Sequence, residues 1–323
     1  MREFNSIYAE FLQGFIQYKR NLGYKFKDEE TKYSDMDRFF SSLGETNVGI
    51  TQELAKKWAL RRPNESDSNR YRRVMYLVKF SQYLNDIGVQ SYIPSYPSAY
   101  KSTFTPYIFT QEEIDKVLHA SDTLGVSHSQ ETCADAVPVI LRVLYGTGIR
   151  IGEAVALMAR DVDLEKRFLI VRQSKSGRQR KLPFKESVAV VCREYRKKVD
   201  ASGHGNSYFF IKRNGRPCRE KTIYEWFRVV LRKAGIHHCG KGQGPRLHDV
   251  RHTFCVHALA AMANDGLDLY YTLPILSEYL GHQSLWATEK YVRLTSEMYP
   301  SLLEGAGKVF GSVFPEVYDN ETD

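Results

Sequence analysis

The sequence predicts a mainly α-helical protein with one small antiparallel β-sheet in its C-terminal part. Apolar residues recur at three- and four-residue spacing along most of the chain, as they do in amphipathic helices. Only two short stretches, residues 168–171 and 180–183, have the composition of strands, and a polar turn joins them. With 323 residues the chain is long enough for two domains.

The N-terminal domain, residues 1–92, is predicted to be a bundle of four helices. Its apolar residues keep helical spacing, and glycine or a capping residue marks each boundary. The predicted helices are residues 4–23, residues 27–42, a short helix capped by Thr51 and a longer one capped by Asp67 that runs to Gly88. Four such helices can bury a shared core.

A linker is predicted at residues 93–109, because this stretch is rich in proline, serine and tyrosine and has no apolar period. Thr110 and Glu113 then form a capping box that opens a second domain at 110–323, with a tail from about 296. Its predicted helices are about 132–145, one from near Arg150, 187–200, 220–234, one carrying His248 and Arg251, 273–279 and 284–294.

The net charge of +8 fits a polyanionic partner such as nucleic acid. Residues 1–103 carry 16 Lys and Arg against 12 Asp and Glu, so half of the excess lies in each part. If nucleic acid binds, both halves are expected to touch it. No run of about 18 apolar residues exists, so we expect a cytoplasmic protein, associated with the nucleoid when active.

Neither a metal nor another cofactor is expected. The five cysteines are odd in number and widely spaced, which is unlike a disulfide framework. A zinc site could be built from His237, His238 and Cys239 with Cys255 and His257. Scattered thiols and loop histidines are the better interpretation, because no CxxC pair anchors such a site.

Three short motifs contain groups that could act on a phosphodiester. Arg150 precedes Glu153 by three residues, His248 precedes Arg251 by three, and His282 precedes Tyr291 by nine. Arginine pairs two phosphate oxygens at once, and a phenol oxygen can attack phosphorus. Each motif alone has a simpler explanation: a surface ion pair, a solvated helix face, or a core residue among 21 tyrosines.

Together, the segments GTGIRIGE (146–153), LHDVRHTF (247–254) and LGHQSLWATEKY (280–291) resemble the three signatures of the tyrosine recombinases, the phage integrase family. The resemblance covers about 110–295 by motif. Residues 1–103 match only by position and helical character, as the DNA-gripping domain of that family would.

The resemblance implies a role for each matched residue. Tyr291 would attack the scissile phosphate and leave a 3′-phosphotyrosyl bond and a free 5′-hydroxyl, without metal or ATP. Arg150 and Arg251 would clamp the non-bridging oxygens. His248 and His282 would add hydrogen bonds, and His248 could help to deprotonate the tyrosine.

Two further residues have supporting roles by the same resemblance. Lys175, in the turn between the two strands, would protonate the departing 5′ oxygen, although Arg178 and Lys181 lie close by and a solvated turn residue is the alternative. Glu153 would hold the guanidinium of Arg150 in place.

The implied function is site-specific DNA recombination by a mobile-element enzyme, a homotetramer that acts through a Holliday junction, with accessory proteins possible. Two alternatives remain open: a type IB topoisomerase and a non-catalytic DNA-binding accessory protein.

The tail after Tyr291 could dock on a neighbouring subunit or on its own domain, and the 261–279 segment is longer than usual in the family. Four basic residues are candidate DNA contacts on the fourth helix: Arg70, Arg72, Arg73 and Lys79.

Overall fold

The computed structural model describes residues 3–98, 105–125, 132–172, 179–201, 208–240, 244–282 and 284–299. The chain divides into two compact units, an N-terminal unit Met1–Phe104 and a C-terminal unit Thr105–Asp323. Within the described ranges, both units are built from helices, and the C-terminal unit also holds a three-stranded antiparallel sheet. The predicted fold class is therefore confirmed.

The N-terminal unit has its helices close to the predicted places. They are α1 Ala9–Asn21, α2 Lys27–Leu43, α3 Gln52–Ala59 and α4 Asp67–Asp86. Thr51 caps α3 as predicted, since its hydroxyl accepts from the amide of Leu54. The cap of α4 is Ser66 rather than Asp67, because the Ser66 hydroxyl accepts from the Asn69 amide. The core of this unit is aromatic, and its largest buried rings are Tyr8, Phe15, Tyr33, Phe40, Trp58 and Phe80.

The C-terminal unit contains the remaining helices and the sheet. The helices are α5 Gln111–Asp122, α6 Val137–Thr147, α7 Ile151–Val155, α8 Glu186–Ala201, α9 Glu220–Lys233, α10 Leu247–Asn264, α11 Leu269–Leu280 and α12 Trp286–Met298. The Thr110–Glu113 capping box opens α5 as predicted. Among the described residues, no helix is both long enough and apolar enough to cross a membrane.

The sheet has the strand order β1-β2-β3, with β1 at Val162–Asp163, β2 at Phe168–Val171 and β3 at Arg180–Pro183. Both predicted strands are present, and Val171 lies opposite Arg180 in an antiparallel register. The two-residue β1 was not predicted, because a strand this short has too few residues for an alternating pattern. The turn between β2 and β3 at 173–178, which includes Lys175, lies outside the described residues.

The end of α6 differs from the prediction in a way that matters for the site. Gly146 lies inside the helix, which ends at Thr147, and Gly148 adopts a left-handed φ of +59°. Its amide bonds to the carbonyl of Leu144 at 2.9 Å. A side chain at Gly148 would collide with the ring of Phe254, since a Cβ there would lie 2.3 Å from that ring. Gly148 therefore allows α6 to end directly against α10.

Candidate active site

Helix α10 brings the three sequence motifs together through Arg251, which is 3% exposed. Its Nη1 donates to the carbonyl of Gly148, in the first motif. Its Nη2 donates to the carbonyl of Leu280 at 2.9 Å and lies 3.0 Å from Nε2 of His282, in the third motif. Residues separated by more than 100 positions in the sequence therefore meet at one guanidinium group.

His282 lies in the turn between α11 and α12, where Gly281 takes a left-handed φ of +66°. Its Nδ1 lies 2.7 Å from the hydroxyl of Thr288, a fully buried residue in α12. This contact leaves Nε2 on the side of Arg251. The imidazole ring is nearly parallel to the ring of Tyr291, at an interplanar angle of 17° and a centroid distance of 6.4 Å.

Tyr291 projects from α12 into a small core, and only 1% of its surface is exposed. Its hydroxyl lies 2.7 Å from Nδ1 of His252, one residue after Arg251 on α10. The thiol of the fully buried Cys255 is a second polar neighbour of this hydroxyl. The ammonium group of Lys290 lies 5.1 Å from the ring centroid, close enough for a cation–π contact. The sequence motifs did not point to His252 as a site residue.

Arg150 is held by a buried carboxylate. Its backbone amide donates to one oxygen of Glu153 at 3.1 Å, and its Nη1 donates to the other at 3.0 Å. The Glu153 side chain is only 5% exposed, so the surface ion pair that the spacing alone suggested is wrong. Arg180 of β3 pairs with the same carboxylate through both of its Nη groups.

Arg180 was missed in the sequence, although a signal was present. Alternate residues of a strand face the same side, so Arg180 shares the buried face of Leu182. An arginine on the inner face of a short strand requires a buried partner. Glu153 is that partner, and together they place β3 beside Arg150.

Positive charge and burial determine the protonation of this cluster. Burial, followed by the charge of Arg150, lowers the pKa of Arg251 to about 10. Burial and the charge of Arg251 lower the pKa of His248 and of His282 to about 4 each. Both histidines are therefore neutral at pH 7, and each can donate one hydrogen bond. The guanidinium groups of Arg150 and Arg251 thus form a partly desolvated cluster of positive charge, which suits an anion. This cluster is the phosphate pocket of the proposed site.

The phenol of Tyr291 is protonated in this state. Burial raises its pKa well above the usual value, and the neighbouring Cys255 raises it further, while Arg251 opposes both effects. A neutral phenol is a weak nucleophile, so attack on phosphorus requires a proton acceptor or added positive charge.

Comparison with known proteins identifies the family. The model of the phage integrase family matches residues 108–298, which is more than half of the chain. The chain belongs to the phage integrase family. Its relatives include a Sinorhizobium fredii protein named as an integrase/recombinase, y4rB, with 29% identity over 304 residues, covering 91% of this chain and 95% of that protein. Tyrosine recombinase XerA of Pyrococcus furiosus is 30% identical over 205 residues, which cover 62% of each chain.

Solved structures of DNA-bound recombinases share the fold of this integrase. The XerH site-specific recombinase bound to palindromic difH substrate has a TM-score of 0.65 at 18% identity, covering 86% of this chain and 79% of that one. The Tn1549 transposon integrase in complex with transposon right end DNA has a TM-score of 0.60 at 21% identity, covering 87% and 94%. The chain is thus a tyrosine recombinase, and its function is site-specific DNA recombination.

The basic residues of α4 in this recombinase differ in their freedom to contact DNA. Arg73 is buried, and its guanidinium pairs with Glu65 and with the carbonyl of Leu60, which argues against its predicted role as a DNA contact. Arg70 donates to the carbonyl of Ala59. Arg72 and Lys79 are exposed. The burial of Arg73 could not be predicted from the sequence, because basic and apolar residues lie next to each other in this helix.

No group of three or more His, Cys, Asp or Glu side chains in the described ranges is arranged to hold a metal ion. The arginine-rich pocket is instead the main concentration of charge around Tyr291. Of the predicted catalytic residues, Lys175 lies outside the described residues, and the other five are in or beside this pocket.

Proposed function

We propose that Tyr291 is the nucleophile with which this recombinase cleaves DNA. The observation that carries the proposal is the contact network of Arg251, which joins the turn after α6 to the turn before α12. His282, in that second turn, in turn contacts Thr288 on the helix of Tyr291. The phenol oxygen would lose its proton to a neutral imidazole beside it and form a bond to phosphorus. The bond from phosphorus to the 5′ oxygen would break as that oxygen takes up a proton. The 3′-phosphotyrosyl product conserves the bond energy, so a 5′-hydroxyl can reverse the step without ATP.

Arg150 and Arg251 would bind the two non-bridging oxygens of the scissile phosphate. Their positions are fixed before DNA binds, because Glu153 holds one guanidinium and two backbone carbonyls hold the other. A fixed cation needs little reorganisation as negative charge develops on the phosphorane. His282 is neutral at pH 7, and its Nε2 accepts from Arg251 in this state. It would donate from Nε2 to the same phosphate in the other tautomer, in which Nδ1 accepts from the hydroxyl of Thr288.

His248 would be the second histidine at the phosphate. Its ring meets that of His252 edge to face at 4.8 Å between centroids, and its pKa is lowered by burial and by Arg251. A neutral His248 would act mainly as a hydrogen-bond donor. Lys175 would protonate the departing 5′ oxygen, and Lys181 is a weaker candidate because its ammonium group lies over the ring of Phe168.

The natural partner would be double-stranded DNA that carries specific recombination sites. We propose a homotetramer that joins two duplexes through a Holliday junction, as part of a mobile element, with accessory proteins in some reactions. The N-terminal domain, here proposed as residues 1–92 with a linker at 93–109, would grip the duplex, with Arg72 and Lys79 as its candidate contacts on α4. DNA as the substrate would place the active enzyme at a bacterial nucleoid.

Covalent trapping on randomised DNA tests the proposal whatever the target sequence is. A pool of nicked duplexes with randomised arms loses a short strand after cleavage, which prevents religation. The full-length enzyme should form SDS-resistant adducts with a subset of the pool, and sequencing them identifies a preferred duplex. Tyr291→Phe should give no adduct on that duplex, because it lacks the attacking oxygen.

Tyr299→Phe, a change at a half-buried tyrosine at the end of α12, is the matched control and should still form the adduct. An adduct that persists in Tyr291→Phe would show that another residue is the nucleophile. Absence of any adduct with the unmodified enzyme, despite retained DNA binding, would contradict the covalent mechanism itself.

A further inference from the structure

The hydroxyl of Tyr291 contacts a histidine to which the three motifs gave no role. His252 follows Arg251 directly on α10, and its Nδ1 lies 2.7 Å from the phenol oxygen. His248, the histidine of the predicted site, instead contacts the ring of His252. Helix α10 thus presents Arg251 to the phosphate pocket and His252 to the nucleophile.

His252 has the chemistry of a hydrogen-bond acceptor here. Burial, followed by the charges of His248, Lys290, Arg246 and Arg251, lowers the pKa of His252 to about 2. The imidazole is therefore neutral, with one nitrogen able to accept a hydrogen bond. A neutral phenol can donate to that nitrogen, which turns the lone pairs of its oxygen away from His252.

We infer that His252 is a positioning residue of this recombinase, which fixes the Tyr291 hydroxyl by accepting its hydrogen bond. The inference rests on the proposed function of Tyr291 as the nucleophile. In-line attack needs the oxygen close to the phosphorus and correctly directed, and a misplacement of about 1 Å can slow a reaction on the order of a hundredfold. Within the described ranges, the hydroxyl has only His252 and Cys255 as side-chain hydrogen-bond neighbours.

The same helix offers a matched control. His257 lies five residues further along α10, and its Nδ1 lies 2.8 Å from the hydroxyl of Tyr145 on α6. This second histidine–tyrosine pair has nearly the same hydrogen-bond length, although it is only partly buried, and it contains no proposed catalytic residue. Loss of either bond should perturb α10, but only loss of the bond to Tyr291 should slow cleavage.

The test uses four variants of the full-length enzyme: His252→Asn, His252→Gln, His252→Leu and His257→Leu. An asparagine amide reaches the position of Nδ1, whereas a glutamine amide reaches that of Nε2. The cleavage rate constant is measured in single turnover at saturating concentrations of the nicked duplex selected by trapping. DNA affinity is measured separately by fluorescence anisotropy.

We expect His252→Leu and His252→Gln to cleave about tenfold or more slowly than the unmodified enzyme. His252→Asn should recover most of the rate, and His257→Leu should cleave at the normal rate. DNA affinity should be unchanged throughout, since the hydrogen bond concerns the nucleophile only. Recovery by asparagine but not by glutamine is a result that a general packing role would not produce.

The inference is overturned if His252→Leu and His252→Gln both cleave normally or faster, or if asparagine is as slow as glutamine. It is also overturned if His257→Leu is equally slow, because the effect would then be one of helix stability. Should His252→Leu not fold, the comparison of Asn with Gln decides alone. Failure of the proposed function is seen separately, as an adduct formed by Tyr291→Phe.

Discussion

Glu153 is the residue on which the arrangement of charge in the pocket depends. One buried carboxylate accepts hydrogen bonds from two guanidinium groups, Arg150 and Arg180, and from a backbone amide. Despite its burial, the pKa of Glu153 is lowered, because the hydrogen bonds and charge of Arg180 and then those of Arg150 outweigh desolvation. The carboxylate stays ionised and anchors Arg150 without cancelling the positive charge of the site.

Arg180→Met should therefore destabilise the C-terminal unit by about 3 kcal/mol, because it leaves part of a buried charge unpaired. The cleavage rate should also fall, since Glu153 would be free to shift with Arg150. Urea unfolding and single-turnover cleavage measure the two effects. Arg142→Met breaks the more exposed pair with Asp122, which has side-chain exposures of 21% and 47%, and should cost less than about 1 kcal/mol. Equal losses in both variants would contradict the anchoring role.

Helix α10 is the element that organises the site. Its position depends on the turn at Gly148, where α6 ends, because the Gly148 carbonyl accepts from Arg251 and its missing side chain makes room for Phe254. A single residue thus couples the end of one helix to the packing and the hydrogen bonding of another. The left-handed φ of +59° adds a second reason for glycine.

Gly148→Ala should lower both stability and cleavage. The left-handed backbone alone costs an alanine about 1–2 kcal/mol, and the contact with Phe254 should add to this and displace α10. Gly44→Ala is the matched control, since Gly44 also ends a helix at a φ of +64° but has nothing within 4 Å of its would-be Cβ. Thermal unfolding and the covalent trapping assay measure both variants. Normal cleavage by Gly148→Ala would show that this turn does not position Arg251.

The helices and strands could be predicted from the sequence, because each depends on a local pattern. Features that depend on contacts between distant residues could not be predicted. Helical spacing located the helices, strand-like composition located β2 and β3, and the motifs pointed to Arg251 and Tyr291. The bond from His252 to Tyr291 spans 39 residues, so no local pattern contains it. Either Gly146 or Gly148 could end α6 as far as the sequence shows. The packing of Phe254 against Gly148 accounts for the end of the helix at Gly148.

At the scale of the whole molecule, the two units differ in their histidines. All nine lie beyond residue 104, and three of them, His248, His252 and His282, are in the site. Their pKa values are lowered to about 4, about 2 and about 4, primarily by burial. The charges that oppose their protonation come from Arg246 and Arg251 at α10 and from Arg150, Arg180 and Lys290, and His248 also acts on His252.

These shifts predict that the C-terminal unit loses stability in mild acid before the N-terminal unit does. An unfolded histidine binds its proton near pH 6.5, whereas these three stay neutral in the folded unit to about pH 4 or below. The unfolded state therefore binds more protons between these values, so the stability present above pH 6.5 falls as the pH drops toward 4. In the N-terminal unit, the pKa of Glu65 is lowered, so its contribution to stability is lost only when the pH falls into and below the usual carboxylate range.

Hydrogen exchange of the full-length chain at pH 7 and pH 5, corrected for intrinsic exchange rates, measures the protection of each unit through its own peptides. Protection of α10 and α12 should decrease at pH 5, whereas that of α1 and α4 should stay nearly constant. His248→Gln should reduce the loss in the C-terminal unit, because one proton-binding difference is removed. Equal losses of protection in both units would mean that groups other than these buried histidines control the acid response.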